Sequence, residues 1–450
     1  MRDSIDFKNM DIAALFRKLL LPTVLGMIFS ALFVITDGIF VGKGIGSDAL
    51  AAVNIVAPLW LFSTGIGLMF GVGASVVASI HLSHNKPKVA RINITQSIVV
   101  SSLLLMCTST LFCLFAPQVV HLLGGSERLE PLAVEYMLWF VPFSAFTALL
   151  NSGMFFLRLD GSPNFAMLCN ITAAVLNIIL DYLFIFPLGW GMFGAALATL
   201  IAQGISAVFS LLIFFYRMRR YKSSFVWFDG QELRSMLQIA VPSVLQQSTV
   251  SIGMMIVQAV VNPFGTQALA GYAATMRVEN VFSLIFVSIG NAVSPYVSQN
   301  LGAKKIERIK KGYHAALVLD LCFAVLAFIV IETLHTQISS LFLGKDGTAL
   351  AYQVSGDYMR WLGYFFIFMG IKMATDGVLR GLGIMRPFLI ANMVNLAIRL
   401  SVALICAPRF GIAFVWLAVP AGWLANFLVS YAALRKSWPG EKVEPSRIFS

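Results

Sequence analysis

The chain has 450 residues, of which 58% are hydrophobic and only 12% are charged. That charged share is about half of what a soluble globular protein carries, and twelve membrane spans of about 22 residues each would occupy about 264 positions. The composition excludes a soluble enzyme, a disordered chain and a large extramembrane domain. Long unbroken apolar runs are also unlike the alternating strands of a membrane β-barrel. We predict an all-α polytopic membrane protein.

The formal net charge of +11 does not indicate nucleic-acid binding, because Lys and Arg of membrane proteins collect in cytoplasmic loops. We therefore expect no nucleic-acid partner. The five cysteines all lie in apolar stretches, form no CxxC pair and have no clustered histidines, so neither a disulfide framework nor a metal site is predicted.

Windows that are free or nearly free of charge mark twelve spans. The polar stretch 1–10 and the long apolar run that begins at Leu19 do not fit a cleaved signal peptide, so we interpret that run as a retained first span. In chain order the predicted spans begin with 19–36, interrupted by Asp37, and continue with 49–80, 92–115, 136–157, 164–186, 192–216, 237–261, 272–297, 315–331, 357–379, 387–407 and 412–434.

The basic residues give the orientation. With the N-terminus placed inside, 24 of the 32 Lys and Arg residues fall in inner segments, five in outer loops and three within spans. This asymmetry indicates that both termini are cytoplasmic. We predict a multi-pass protein of the cell inner (plasma) membrane that functions as a monomer in the lipid bilayer.

The two halves of the chain resemble each other. The sequence LPTVL at 21–25 matches VPSVL at 241–245, and Arg158 and Asn170 match Arg380 and Asn392 at an offset of 222. The prediction is therefore two pseudo-symmetric six-helix lobes, 1–216 and 237–450, joined by a basic cytoplasmic linker at 217–236. Since six spans return the chain to the same side, the repeat is parallel, and two such lobes can rock to give alternating access.

Two acidic residues lie inside spans of the first lobe. Asp37 interrupts span 1, and Asp181 lies about two-thirds along span 5, at a similar predicted depth. Carboxylates inside a membrane are costly and are functional by default. Asn177 precedes Asp181 by one helical turn and faces the same side. Two carboxylates deprived of water can bind a proton, and with amide and hydroxyl oxygens they can also hold a hard cation.

Ordered motifs along the chain resemble the multidrug and toxic compound extrusion (MATE) family. They are Pro22 with the run TDGIFVG at 36–42 and DALAAV at 48–53, GVGAS at 71–75, Asn170 with NIILD at 177–181, GAALAT at 194–199, and Pro295 with Gly302-Ala303. The resemblance covers nearly the whole chain. It implies a secondary active antiporter that exports amphipathic, often cationic, organic compounds in exchange for H⁺ or Na⁺.

The resemblance also implies where the coupling ion binds. One branch of the family has its acidic ion site in the N-lobe, and the matching positions here are Asp37, Asn177, Asp181 and Thr199, with Na⁺ as the only metal expected there. Tyr136 resembles a family tyrosine near this site. The other branch has a carboxylate in span 7, where this chain has Gln246 and Gln247. No cofactor other than the coupling ion is expected.

Several residues are weaker candidates. Thr36 and Asn151 are second-rank polar residues of the N-lobe, since such side chains often join helices by hydrogen bonds. Pro22 removes a helix hydrogen bond and favours a kink in span 1. The candidates for the wall of the substrate cavity are Phe33, Met254, Met255, Gln258 and Arg399.

The C-lobe carries different charges. Lys372 and Asp376 are one turn apart on span 10 and should partly neutralise each other, whereas an interfacial structural role is expected for Arg277 and Glu279. Arg399 has no obvious local partner. It can pair with Asp376 or Glu279, or it can contact substrate.

The sequence lacks a Walker A motif, HExxH and GxSxG, so neither direct ATP use nor enzymatic activity is predicted. Two alternatives stay open at this point. One is a flippase of lipids or lipid-linked oligosaccharides from the same superfamily. The other is an integral membrane transferase, which would normally need an acidic DDxxD-type motif that the chain does not contain.

Overall fold

The computed structural model describes residues 5–6, 9–84, 86–123, 125–218, 228–343 and 348–438. Within these ranges the regular structure is helical throughout, and twelve helical segments are long and apolar enough to cross a membrane. The predicted fold class is therefore confirmed.

The first six spans are built from seven helices, and the short helix α4 lies between spans 3 and 4. Span 4 consists of α5 and α6, which are separated by a 3₁₀ turn at Val141–Phe143 where Pro142 cannot donate a helix hydrogen bond. The helices are α1 (Ile12–Gly44), α2 (Ser47–Ser83), α3 (Pro87–Leu114), α4 (Ala116–Leu122), α5 (Glu130–Phe140), α6 (Ser144–Leu159), α7 (Pro163–Ile185) and α8 (Gly191–Met218).

The remaining six spans are built from seven helices. Span 11 consists of α13 and α14, which are joined by a π-helical turn at Val402–Cys406. The helices are α9 (Gly230–Val261), α10 (Thr266–Gly302), α11 (Ile306–Leu343), α12 (Ala349–Gly381), α13 (Met385–Ser401), α14 (Ala407–Phe410) and α15 (Ala413–Lys436).

The chain packs into two compact units. One comprises Met1–Asp6 and Arg17–Val244, and the other comprises Phe7–Phe16 and Leu245–Ser450. The bounds of these units differ from those of the predicted lobes, 1–216 and 237–450, which are defined by the sequence repeat.

Small residues bring helices close together within each unit. In the first unit, a Cβ on Gly67 of α2 would lie 2.6 Å from Cα of Ala148 on α6. In the second unit, a Cβ on Gly377 of α12 would lie 2.6 Å from the carbonyl oxygen of Gly290 on α10. Such contacts are typical of membrane helices, whose association depends on close packing rather than on the hydrophobic effect.

Some spans are longer than predicted and contain charged residues. Span 9 was predicted at 315–331, but α11 continues to Leu343. Arg360, counted with the outer loops although it falls inside the predicted span 357–379, lies within α12 and forms a 2.7 Å ion pair with Glu332 of α11. The predicted span 9 stops just before Glu332 because a charge ends a charge-free window, whereas this half-buried glutamate lies within α11 and pairs with Arg360.

Candidate functional site

Three of the N-lobe candidates, Asp37, Asp181 and Thr199, each lie close to one end of a helix. Asp37 is seven residues before the end of α1, Asp181 is four before the end of α7, and Thr199 is eight after the start of α8. At 1.5 Å per residue, these positions are about 10, 6 and 12 Å from the respective helix ends. All three lie toward the membrane face opposite the N-terminal side.

Packing between α1 and α7 sets Asp37 opposite Asp181. A Cβ on Gly26 of α1 would lie 3.1 Å from Nδ2 of Asn170 on α7, so α1 approaches α7 closely at this level. Farther along, the ring of Phe40 packs on Tyr182 and Phe186 of α7, with centroid distances of 6.5 and 5.9 Å. These contacts surround the level at which the two carboxylates meet.

The four predicted ion-site residues come together. The carboxyl groups of Asp37 and Asp181 lie close enough to interact electrostatically. Asn177 Nδ2 donates a 3.3 Å hydrogen bond to Thr199 Oγ1, which joins α7 to α8. Asn177, Asp181 and Thr199 are all buried, and Asp37 is half-buried.

The buried oxygens of this cluster lack donors. Among the described residues, no hydrogen bond reaches Asp37 Oδ1, Asn177 Oδ1 or either carboxyl oxygen of Asp181. Two ionised carboxylates within interaction range repel each other unless a proton or a cation lies between them. The cluster therefore has the chemistry of a site for one or two protons or for Na⁺, which prefers carboxylate, amide and hydroxyl oxygens.

Tyr136 forms part of the same cluster. Its buried side chain on α5 interacts electrostatically with Asp37 and Asp181 and lies beside the Thr199 hydroxyl. The ring stacks on Phe140 at 5.9 Å, which fixes its orientation. The phenol closes the site on the side of α5.

The other N-lobe candidates are less closely tied to the cluster. Asn151 donates a 2.8 Å hydrogen bond to the Thr147 carbonyl of its own helix, α6. Thr36 and Phe33 are half-buried on α1. Pro22 lies within α1, which is helical on both sides of it, and the roles of these residues stay predictions.

In the C-lobe, the predicted Lys372–Asp376 pair is present and buried. Lys372 Nζ lies 3.0 Å from Asp376 Oδ2, which also accepts a 3.0 Å hydrogen bond from Gln246 Nε2 of α9. Ser430 Oγ of α15 donates to Asp376 Oδ1 at 3.0 Å. Both carboxylate oxygens are thus satisfied by protein donors, in contrast to those of Asp181.

Two buried acids were misjudged or missed from the sequence. Glu279 is not interfacial: it is buried and accepts a 2.9 Å hydrogen bond from Tyr358, because α10 begins at Thr266 and places it about 20 Å along the helix. Asp320 of α11 is fully buried, and neither carboxyl oxygen has a partner among the described residues. A scan for single acids inside apolar windows would have found Asp320.

Of the proposed cavity residues, Met254 is half-buried on α9 and Arg399 is buried on α13. The side chains of Met255 and Gln258 lie outside the described part of the structure.

Comparison with known proteins decides the family. The MatE family model matches the chain twice, over residues 22–183 and 242–405. The chain belongs to the MATE family. The two matches begin 220 positions apart, as do Pro22 and Pro242, so each half of this MATE protein matches the family model separately.

Two of the similar proteins are named as transport or export proteins. The chain is 25% identical to the FAD transporter of Shewanella oneidensis over 84% of this chain and 82% of that protein. It is 24% identical to the multidrug export protein MepA of Staphylococcus saprophyticus over 81% and 82% of the two chains. The fold matches the Vibrio cholerae MATE transporter VcmN in its bent form with a TM-score of 0.88, at 23% identity over 96% and 98% of the two chains.

Proposed function

We propose that this MATE protein is a secondary active antiporter that exports amphipathic organic compounds in exchange for H⁺ or Na⁺ by alternating access. Family membership and the twelve spans support membrane transport. The name of the relative MepA supports multidrug export. The Shewanella relative is named as a transporter of FAD.

The observation that carries the coupling proposal is the pair of facing carboxylates, Asp37 and Asp181, whose buried oxygens lack donors in the described structure. Such a pair is stable only when a proton or a cation relieves the repulsion. In the C-lobe, the ammonium group of Lys372 already neutralises Asp376, so this pair needs no external ion.

Ion binding acts on α1. The ion draws Asp37 toward α7, and Pro22 leaves the α1 hydrogen-bond ladder one donor short, so the helix has a weak point between its start and the ion site. An ion shifts this equilibrium only by its difference in affinity for the two states of the helix. The transporter works as a monomer and needs no organic cofactor, and its cargo is an amphipathic, cationic or partly charged molecule.

Gradient-driven transport tests the proposal. Purified protein in liposomes should export a fluorescent organic cation against its gradient when either a proton or a sodium gradient is imposed alone. The protein-free liposome is the control, and collapse of the effective gradient by an ionophore should stop transport. Equal dye movement with and without any ion gradient would contradict antiport.

Labelling tests the orientation. A cysteine in place of Lys310, at the cytoplasmic end of α11, should be protected from a membrane-impermeant thiol reagent in intact cells, whereas a cysteine in place of the exposed Arg128 should react. The unsubstituted protein controls for the native cysteines. External labelling at residue 310 would reverse the topology. Lys222 and Lys345, which the charge pattern places inside and outside respectively, lie outside the described residues.

A further inference from the structure

The C-lobe contains a buried guanidinium near the middle of a span. Arg399 is 5% exposed and lies fourteen residues after the start of α13, about 21 Å along a span that continues through α14 to Phe410. A charge at this depth is costly unless a partner compensates it. The protein therefore either neutralises Arg399 itself or leaves it for a ligand.

The surrounding helices leave room for this side chain. A Cβ on Gly253 of α9 would lie 3.5 Å from Arg399 Cδ and 3.7 Å from Nη1, and a Cβ on Gly422 of α15 would lie 3.4 Å from Arg399 Cβ. The π-helical turn that follows, Val402–Cys406, interrupts the regular α-helix just beyond Arg399. Such turns occur frequently at functional sites.

Two of the Arg399 donors have no acceptor. Among the described residues, neither Nε nor Nη2 makes a hydrogen bond, although both are buried. These two nitrogens form one edge of the guanidinium, the edge that binds a carboxylate or phosphate with two parallel hydrogen bonds. Arg128 uses the same edge toward Asp48 Oδ2, with Nε at 3.2 Å and Nη2 at 2.7 Å.

The acids that could neutralise Arg399 are engaged elsewhere. Asp376 is bound by Lys372, Gln246 and Ser430. Glu279 interacts electrostatically with Arg399, as do the phenols of Tyr272 and Tyr358, but its Oε2 accepts the Tyr358 hydroxyl. No salt bridge joins Glu279 to Arg399 in the described structure, so Glu279 acts on the guanidinium only at a distance.

We propose that the free edge of Arg399 binds an anionic group of the cargo, a carboxylate or a phosphate. The inference rests on the proposed export function and narrows its cargo to amphipathic zwitterions, molecules that carry an anionic group beside a cationic one. Glu279 opposes anion binding through its negative charge and so limits how tightly the cargo is held. An anionic lipid headgroup offers the same chemistry, and the experiment separates the two sources.

A pair of dyes that differ in one group makes the test specific. A rhodamine with a free carboxylate and its methyl ester share the same ring system. In liposomes of neutral phosphatidylcholine, the wild-type protein should transport both, and Arg399→Gln should raise the KM for the carboxylate dye at least tenfold while the ester is little affected. Arg399→Lys should lie between, because lysine keeps the charge but not the two-donor edge. Glu279→Gln should lower the KM for the carboxylate dye.

Control variants and binding measurements keep the outcomes separate. Arg409→Gln, an exposed arginine on the same span, should change neither dye. Equilibrium binding to purified protein in detergent gives the same comparison independently of transport. An equal loss of both dyes in Arg399→Gln, or wild-type protein that binds and exports the ester but never the carboxylate, would overturn the proposal and leave export itself intact. Failure to transport either dye, with Arg399-dependent binding of the carboxylate retained, would contradict the export function instead.

Lipid competition separates the two sources of the anion. If cargo is the ligand, adding phosphatidylglycerol to the vesicles should not raise the KM of the wild-type protein for the carboxylate dye to that of Arg399→Gln. Such a rise, with phosphatidylglycerol that co-purifies with wild-type protein but not with Arg399→Gln, would identify a lipid headgroup as the ligand and overturn the assignment to cargo.

Discussion

Replacing Asp37 or Asp181 with asparagine should abolish ion-driven export and leave the protein in the membrane at a near-normal level. Asparagine preserves the shape of the side chain and removes the charge that binds the ion. Because the two carboxylates repel each other in the unloaded state, neutralising one of them should not destabilise the fold. Export in proteoliposomes and resistance in cells, both at matched expression, measure the effect.

The neutral members of the cluster supply a graded comparison. Asn177→Ala and Thr199→Ala each remove one partner of the 3.3 Å hydrogen bond and one oxygen from the site, so they should raise the ion concentration needed for transport without abolishing it. Asn151→Ala is the matched control, since its amide donates to its own helix. Full ion-dependent transport by the double variant Asp37→Asn, Asp181→Asn would exclude this site as the coupling site.

Replacing Asp376 with asparagine should destabilise the protein strongly. The change leaves the Lys372 ammonium, which is 1% exposed, without its counter-charge. Breaking a buried ion pair by removing one partner costs about 3–5 kcal/mol, because an unpaired charge stays buried. Thermal unfolding in detergent and the yield of folded protein measure the loss.

Two variants check this explanation. The double variant Lys372→Met, Asp376→Leu removes both charges and should recover much of the stability. Glu332→Gln breaks the half-exposed pair with Arg360 and should change the thermal stability little, because solvent screens such a pair. If Asp376→Asn is instead stable and loses ion coupling, the C-lobe contains a second coupling site.

The sequence predicted the spans and the repeat well because both depend on local properties. Long apolar windows determine which segments cross the membrane, and the matched pairs such as Pro22 and Pro242 follow from the chain alone. For the ion site, helical periodicity placed Asn177 and Asp181 on one face. The prediction that Asp37 of α1 lies near Asp181 of α7 rested on their similar predicted depth and on the family resemblance. The structure shows the packing of α1 on α7 that brings them together.

The errors have physical causes. Glu279 was assigned to an interface because the polar start of α10 hides how long this helix is. The Tyr358 hydrogen bond that engages Glu279 comes from a helix about 80 residues later in the chain, so no local pattern predicts it. The sequence alone leaves open whether Arg399 pairs with an acid or contacts substrate. That question depends on where Asp376 and Glu279 direct their oxygens in three dimensions.

The packing of α12 also has a consequence for biosynthesis. This helix carries three charged residues in its last third, Lys372, Asp376 and Arg380, the last of them one residue before its end. Charges within a span oppose insertion, at its centre by about 2.5–3.5 kcal/mol each. On α9, Gln246 donates a hydrogen bond to Asp376. On α10, the carbonyl oxygen of Gly290 and the side chain of Asn291 accept hydrogen bonds from Arg380. Because ribosomes synthesise α9 and α10 first, these partner groups are already in the bilayer when α12 leaves the translocon. Ser430 of α15 completes the set last, so the membrane integration of α12 depends on the order in which the helices are made.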